Sequence, residues 1–359
     1  MKKSSVLILL IVLLLSACQK EKNTNYSDSY KTEGTAIVVN EGAFLQGNAS
    51  ISFIDREGNV IDNIFSRANN GLALGDVAQS YTVCGNYGLI IVNNSQKVVL
   101  VNAATFKLET IFDVGFDYPR YAWYDGNRYV YIANGNAVGN VQILDLTTKT
   151  ITKSIAVGKG PEQFLKVNNQ LWVINTGGYA ADSTISVIDL NTQTEVDRFS
   201  VGSNPTAIAE DGNGNIWVLC KGYIQYDPIT YEPNRQTKAT LVKINPTTKS
   251  VVNSFTLIEE DNDISAVAYL AVSKNKSQLY YKLDNDLYQL STNATLLNAS
   301  VLVNELGIYG MSVHPNTGDV WLAVATSFAG NGKIKVYTES GELKTSYTVG
   351  IGPNTIVFN

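Results

Sequence analysis

The chain of 359 residues contains a single histidine, His314. That scarcity argues against catalysis or metal chemistry that needs a histidine pair or triad. Charged side chains make up 16%, against roughly 25% in an average soluble domain. The net charge is −5 and no run of Lys or Arg is present, so no track for nucleic-acid phosphates exists. The longest uninterrupted apolar stretch, residues 6–15, is too short to span a bilayer. No glycine-rich phosphate loop precedes a helix, and hardly any helical period can be found.

What is present is a normal hydrophobic share of 45%, with 36 asparagines, 28 glycines and 20 tyrosines. Such a chain builds a real core from strands and tight turns. Its N-terminus is a targeting segment. Lys2 and Lys3 precede the apolar stretch, which ends in Leu15-Ser16-Ala17-Cys18. That order fits a signal peptide over residues 1–17. Small residues before a cysteine at this place resemble a bacterial lipobox. The resemblance implies cleavage before Cys18 and lipidation of its sulfur; the rival is an ordinary secretory signal with a chance cysteine. Residues 18–34 are polar and aperiodic, so they are expected to be a flexible tether. The folded part, 35–359, would then stay in water while lipid holds it to a membrane. Gln19 after the cysteine is consistent with outer-membrane sorting.

Internal repeats determine the expected fold. Val157-Gly158-Lys159-Gly160-Pro161 recurs at Val201-Gly202-Ser203-Asn204-Pro205 and at Val349-Gly350-Ile351-Gly352-Pro353. A version one residue longer ends at Pro119. Prolines 119, 161 and 205 are 42 and 44 residues apart. Weaker equivalents begin near Val77, Ile264 and Tyr309. Within each period an apolar strand follows the proline, then a polar turn such as Asp211-Gly212-Asn213-Gly214. An apolar-aromatic strand comes next, such as Leu171-Trp172-Val173-Ile174, followed by a loop of variable length. The period closes with an alternating strand ending in Asp or Asn and an outer strand. Four strands in about 40–45 residues make a β-propeller blade. The expectation is all-β, a seven-bladed β-propeller of four-stranded blades. The first repeat lacks its inner strand, and the C-terminal Pro353-Asn354-Thr355-Ile356-Val357-Phe358 supplies it, closing the ring. Cys84 and Cys220 fall in different repeats within apolar strands, which makes them buried free thiols.

The Gly-x-x-Pro starts, the Trp-Val strand and the Asp-Leu-x-Thr turn resemble YncE-like seven-bladed propellers. The lipobox, with Asn40-Glu41-Gly42-Ala43-Phe44 and Ser50-Ile51-Ser52-Phe53-Ile54-Asp55, is similar to surface propeller lipoproteins of Bacteroidetes. Those include surface-layer proteins and BtuG-type proteins that capture vitamin B12 for a TonB-dependent outer-membrane transporter. The resemblance implies a lipid-anchored outer-membrane protein, exposed at the cell surface, with cobalamin as its ligand. The scarcity of histidine argues for binding rather than catalysis, so no enzyme activity and no resident cofactor are expected.

The longer loops, 41–49, 66–76, 176–183, 221–239, 259–263 and 326–333, all fall on one face of such a ring. Uneven loops crowded on one face mark a binding surface. The longest carries Tyr223, Tyr226 and Tyr231, suited to an amphipathic ligand or a protein; the alternative is a lid packed on the ring. Phe44, Tyr118, Arg120, Tyr179, Tyr309 and Phe328 are expected on the same rim. Arg67 and Arg120 are candidates for oxygen-rich groups, though either can be a solvated or structural arginine. Asn40, Asn93, Asn134 and Asn175 recur at the end of the second strand. That position argues first for turn geometry, and second for a ring of ligand-binding amides. Trp172, Trp217 and Trp321 occupy equivalent blade positions, as inter-blade core does. His314 lies in a turn on the opposite face. The acidic run Glu259, Glu260, Asp261 and Asp263 is a Ca²⁺ candidate or simply a solvated loop. Two rivals to ligand capture remain: a protein- or glycan-docking surface-layer module, and a metal-dependent hydrolase or lyase.

Overall fold

The computed structural model describes residues 29–178, 180–260, 263 and 266–359. Residues 1–28, and with them the signal segment and Cys18, lie outside the described residues, as do Tyr179 and Asp261. The fold is all-β: seven four-stranded antiparallel sheets and a separate two-stranded hairpin. The inner strands of blades two to seven are Ala78–Cys84, Pro119–Tyr124, Pro161–Val167, Pro205–Glu210, Val267–Val272 and Ile308–Val313. Blade one takes its inner strand, Pro353–Phe358, from the C-terminus and pairs it with Ala36–Asn40. The ring therefore closes as the repeats require, and no inner edge is left bare.

Period-2 alternation explains how the blades adhere. Successive side chains of one strand point to opposite faces, so each blade feeds the two interfaces beside it. In Gln170–Asn175, Trp172 and Ile174 pack toward blade five. Leu171 and Val173 pack back against blade three. The same logic puts Trp217 between blades five and six and Trp321 between blades seven and one. The described core is a series of inter-blade clusters, and the tryptophans belong to it.

The Val-Gly motif has a steric cause. A Cβ on Gly158 would lie 2.3 Å from the Asn175 amide nitrogen, and one on Gly350 would lie 2.7 Å from the Asn40 side chain. Glycine leaves room for the asparagine that ends the second strand. Asn175 then donates to Thr184 Oγ1 and Ser186 Oγ at 2.9 and 3.0 Å, and Asn40 donates to Ser52 Oγ at 2.9 Å.

Two details differ from expectation. Order begins before residue 35: the Tyr30 ring lies edge-on to Phe53 and Phe106 at 5.1 and 5.6 Å, and Asn359 Nδ2 donates to Tyr30 O at 3.0 Å. The polar composition of 18–34 hid the Tyr30 anchor. The loop between blades one and two also carries a short helix, Ile64–Ala68, whose Ile64 and Phe65 are buried. Among the described residues no helix is long and apolar enough to cross a membrane. Cys84 and Cys220 are free and buried, and burial pushes each thiol up to about 12.

Candidate functional site: a funnel at the starts of the inner strands

Every inner strand begins with the same local event. Its first residue pairs with the end of the second strand, and then the register shifts. Four of these first residues are prolines, which lack an N–H and are tolerated at a strand start. The bulge that follows leaves the next residue outside the ladder and re-aims its side chain. From blade one to blade seven these residues are Asn354, Gln79, Arg120, Glu162, Thr206, Tyr269 (one place further along, because Ala268 still pairs with Lys282) and Tyr309. All seven line one cavity of about 700 Å³ on the face that carries the long loops. In blades three and four the shift frees two residues, so Tyr121 and Gln163 join them; in blade six it frees Tyr269, held at φ 53°. Phe44 and Phe328 stand at the mouth, 65% and 39% exposed.

The polar floor is a connected network. Arg120 Nε and Nη2 donate to Glu162 at 2.9 and 2.7 Å, and Arg120 Nη1 donates to Gln79 Oε1 at 2.7 Å. Burial works against the guanidinium charge, but the Glu162 carboxylate outweighs it and holds Arg120 above its ordinary value. Across the funnel, Glu41 accepts from Tyr309 Oη at 2.8 Å and from Asn354 Nδ2 at 2.9 Å. Burial raises the Glu41 carboxyl, against those two hydrogen bonds and the Arg120 charge. Burial and the Glu41 charge push the Tyr309 phenol up as well. Asn354 Oδ1 is buried with no partner of its own, an acceptor that a ligand donor would satisfy. At the mouth, Tyr309 and Phe328 meet edge to face at 5.2 Å. Phe328 lies where a Cβ on Gly352 would stand, 2.6 Å from its ring.

The expected site residues separate into groups. Phe44, Asn93, Tyr118, Arg120, Tyr309 and Phe328 converge on the funnel. Asn40, Asn134 and Asn175 do not: they are buried behind it and bonded to the scaffold, Asn134 through Gly115 O and Asn140 Oδ1 at 3.0 and 2.9 Å. Of the four asparagines only Asn93 faces the cavity, and its amide donates to Pro119 O at 3.0 Å. Arg67 sits on the blade-one helix with Nε donating to Asp62 O at 2.7 Å, away from the funnel. Tyr226 lies in a separate two-stranded hairpin, Ile224–Tyr226 with Pro233–Arg235, and Tyr231 in its turn; they are 48% and 75% exposed and do not line the funnel. Tyr223 precedes that hairpin and does not line the cavity. Glu259 is paired with Lys238 at 2.6 Å. His314 lies in the turn on the opposite face, its Nδ1 accepting from the Asn316 and Thr317 amides at 3.2 Å.

Sequence reasoning did not single out Glu41, Gln79, Tyr121, Glu162, Gln163, Lys221, Tyr269 or Asn354. The signal was there: the position after each repeat proline, Arg120, Glu162, Thr206 and Asn354, is the funnel position.

A seven-bladed ring of four-stranded antiparallel sheets defines a β-propeller. Residues 33–359 match the family described as "Domain of unknown function (DUF5074)", and the chain belongs to that family. A search of curated proteins found no match. Among solved structures the chain is similar to a quinonprotein alcohol dehydrogenase-like protein from Bacteroides thetaiotaomicron. Identity is 14%, with TM-score 0.66 over 92% of this chain and 79% of that one. A functionally unknown protein from Desulfotomaculum acetoxidans shares 14% identity and TM-score 0.63 over 90% and 98%. Hydrazine synthase from Kuenenia stuttgartiensis shares 16% identity and TM-score 0.55 over 74% and 80%. At such identities the likeness concerns the fold, which serves enzymes and proteins of unknown function alike.

Proposed function

We propose that this chain is a non-catalytic ligand-capturing propeller, lipid-anchored through Cys18 at the outer membrane and facing the cell exterior. Its ligand is a large amphipathic small molecule, passed on to a TonB-dependent transporter. The observation that carries this reading is the funnel itself: all seven blades contribute to one cavity, with aromatic rings at the mouth and amides and hydroxyls on the floor. Ligand sites combine apolar walls with a few convergent polar groups in this way. The charged groups there are engaged with neighbours, Arg120 with Glu162, and Glu41 with Tyr309 and Asn354. That arrangement favours binding and orientation over acid–base turnover.

Cobalamin is the ligand to try first, because the resemblance of the repeats and lipobox points to it. Its amide-fringed edge suits Gln79, Gln163 and Asn354, and its apolar ring suits Phe44 and Phe328. Calorimetric titration of the purified full-length protein with cyanocobalamin tests this. Saturable binding that weakens at least tenfold in Asn354→Ala and Tyr269→Ala, but not in Tyr226→Ala or Tyr231→Ala, supports funnel capture of cobalamin. No heat at micromolar ligand removes cobalamin. A second reading, docking of a protein or glycan, is favoured by exposed apolar side chains in loops of the funnel face, Leu45 at 70%, Ile229 at 84% and Tyr231 at 75%. Binding lost only in the hairpin variants would promote it.

A further inference from the structure

Beside the funnel, a cavity of about 520 Å³ opens between blades five, six and seven. It shares Thr206, Ala268, Tyr269 and Tyr309 with the funnel, and among the described residues no carboxylate lines it. Two lysines do, Lys221 and Lys282. Lys221 follows directly on the second strand of blade five, Ile216–Cys220. Lys282 is buried at 8% exposure in the second strand of blade six. Among the described residues Lys221 makes no ion pair and its ammonium makes no hydrogen bond. The carboxylate that acts on it is Glu162, whose oxygens are already held by Arg120.

A half-buried ammonium without a counter-charge is costly unless something supplies one. Burial holds both lysines below their ordinary values; at Lys221 the Arg120 charge adds to this and Glu162 opposes it. At Lys282, Asp263 and Asp284 oppose the effect of burial. The hydroxyls of Thr206 and Thr326 and the amide of Asn285 line the same recess. The Lys221 ammonium with these hydroxyl donors, around a space that no described carboxylate lines, forms a receptor for an oxyanion.

We propose that this recess binds an anionic group, a carboxylate or a phosphate ester, with Lys221 as its principal contact. The inference deepens the funnel reading and rests on it only in that one ligand would span both cavities. The recess makes that ligand an anion-bearing one, with its charged end under blades five to seven.

The test uses full-length protein with inorganic phosphate and, separately, acetate as probes. Protection of Lys221 from acetic anhydride is read by mass spectrometry, and affinity by titration calorimetry. Phosphate or acetate should protect Lys221 in a saturable manner. Lys221→Met should weaken binding by about tenfold or more, the loss of one charge-assisted hydrogen bond. Lys221→Arg should retain binding, and Lys344→Met, on the opposite face, should leave it unchanged. Saturation by phosphate alone assigns a phosphate group, and equal saturation by both assigns any oxyanion. Failure of both probes to protect Lys221 at about 10 mM overturns the proposal, as does wild-type affinity in a folded Lys221→Met protein. Because no cobalamin is present, these outcomes stand apart from those of the cyanocobalamin titration.

Discussion

Ring closure by the C-terminal strand yields the sharpest stability prediction. Removing residues 353–359 strips the inner strand from blade one. Ile356, 5% exposed and part of the cluster between blades seven and one, goes with it. Replacing such an isoleucine by alanine alone costs about 2–5 kcal/mol. The strand also pairs along Ala36–Asn40, accepts from Ser312 Oγ of blade seven at 2.9 Å, and donates through Thr355 Oγ1 to Gln79 O of blade two at 3.2 Å. Each such hydrogen bond contributes about 1 kcal/mol net. Their combined loss is comparable with the ~5–15 kcal/mol that stabilises an ordinary domain. The truncated chain should therefore lose its cooperative unfolding transition or aggregate through bare strand edges. Ile356→Ala should stay folded with a lower guanidinium midpoint. Circular dichroism reports the ring, and tryptophan emission reports Trp321, whose ring meets Phe358 edge-on at 5.1 Å. An unchanged midpoint for the chain cut after Gly352 would refute the closure argument.

Gly350→Ala should destabilise by about 1–3 kcal/mol, because its Cβ would lie 2.6 Å from Ser50 Oγ and 2.7 Å from Asn40. Gly330→Ala, where a Cβ meets nothing within 4 Å, should be near neutral in the same denaturation assay. His314 has its folded-state pKa lowered from 6.5, first by burial and then by Lys344, against Asp319. Protonation therefore favours the unfolded chain. The stability contributed by neutral His314 is complete above about pH 6.5 and is lost as pH falls through the lower folded value. Midpoints measured from pH 8 to 5 should fall in the wild type and flatten in His314→Asn, which keeps an acceptor for the turn amides. A wild-type pH slope identical to that of His314→Asn would show that the histidine plays no part.

The fold was legible because packing repeats. Gly158, Gly202 and Gly350 recur since each must admit the side chain that ends a second strand, Asn175, Cys220 or Asn40. The tryptophans recur since each fills an inter-blade gap. The face that carries the large cavity was legible from loop length. The funnel floor was less so, because the backbone event repeats while the side chain does not. Asn354, Gln79, Arg120, Glu162, Thr206, Tyr269 and Tyr309 share a bulge but no side-chain type, and only four of them follow a repeat proline. The recurrence of the asparagines argues first for turn geometry, and Asn40, Asn134 and Asn175 do hydrogen-bond to the scaffold. The tyrosines of the blade-five loop were conspicuous by composition, yet Asp227 folds that loop into its own turn, accepting from the Ile229 and Thr230 amides at 2.8 Å. Tyr231, at the end of that turn, is 75% exposed and does not line the funnel.

Hydrogen exchange of the full-length protein with and without cyanocobalamin measures where a ligand sits. Funnel capture predicts slowed exchange concentrated at the starts of the inner strands, around 78–80, 119–121, 161–163, 268–270, 308–310 and 353–355. Protection confined to the hairpin at 224–235, or no change anywhere under saturating ligand, would contradict it.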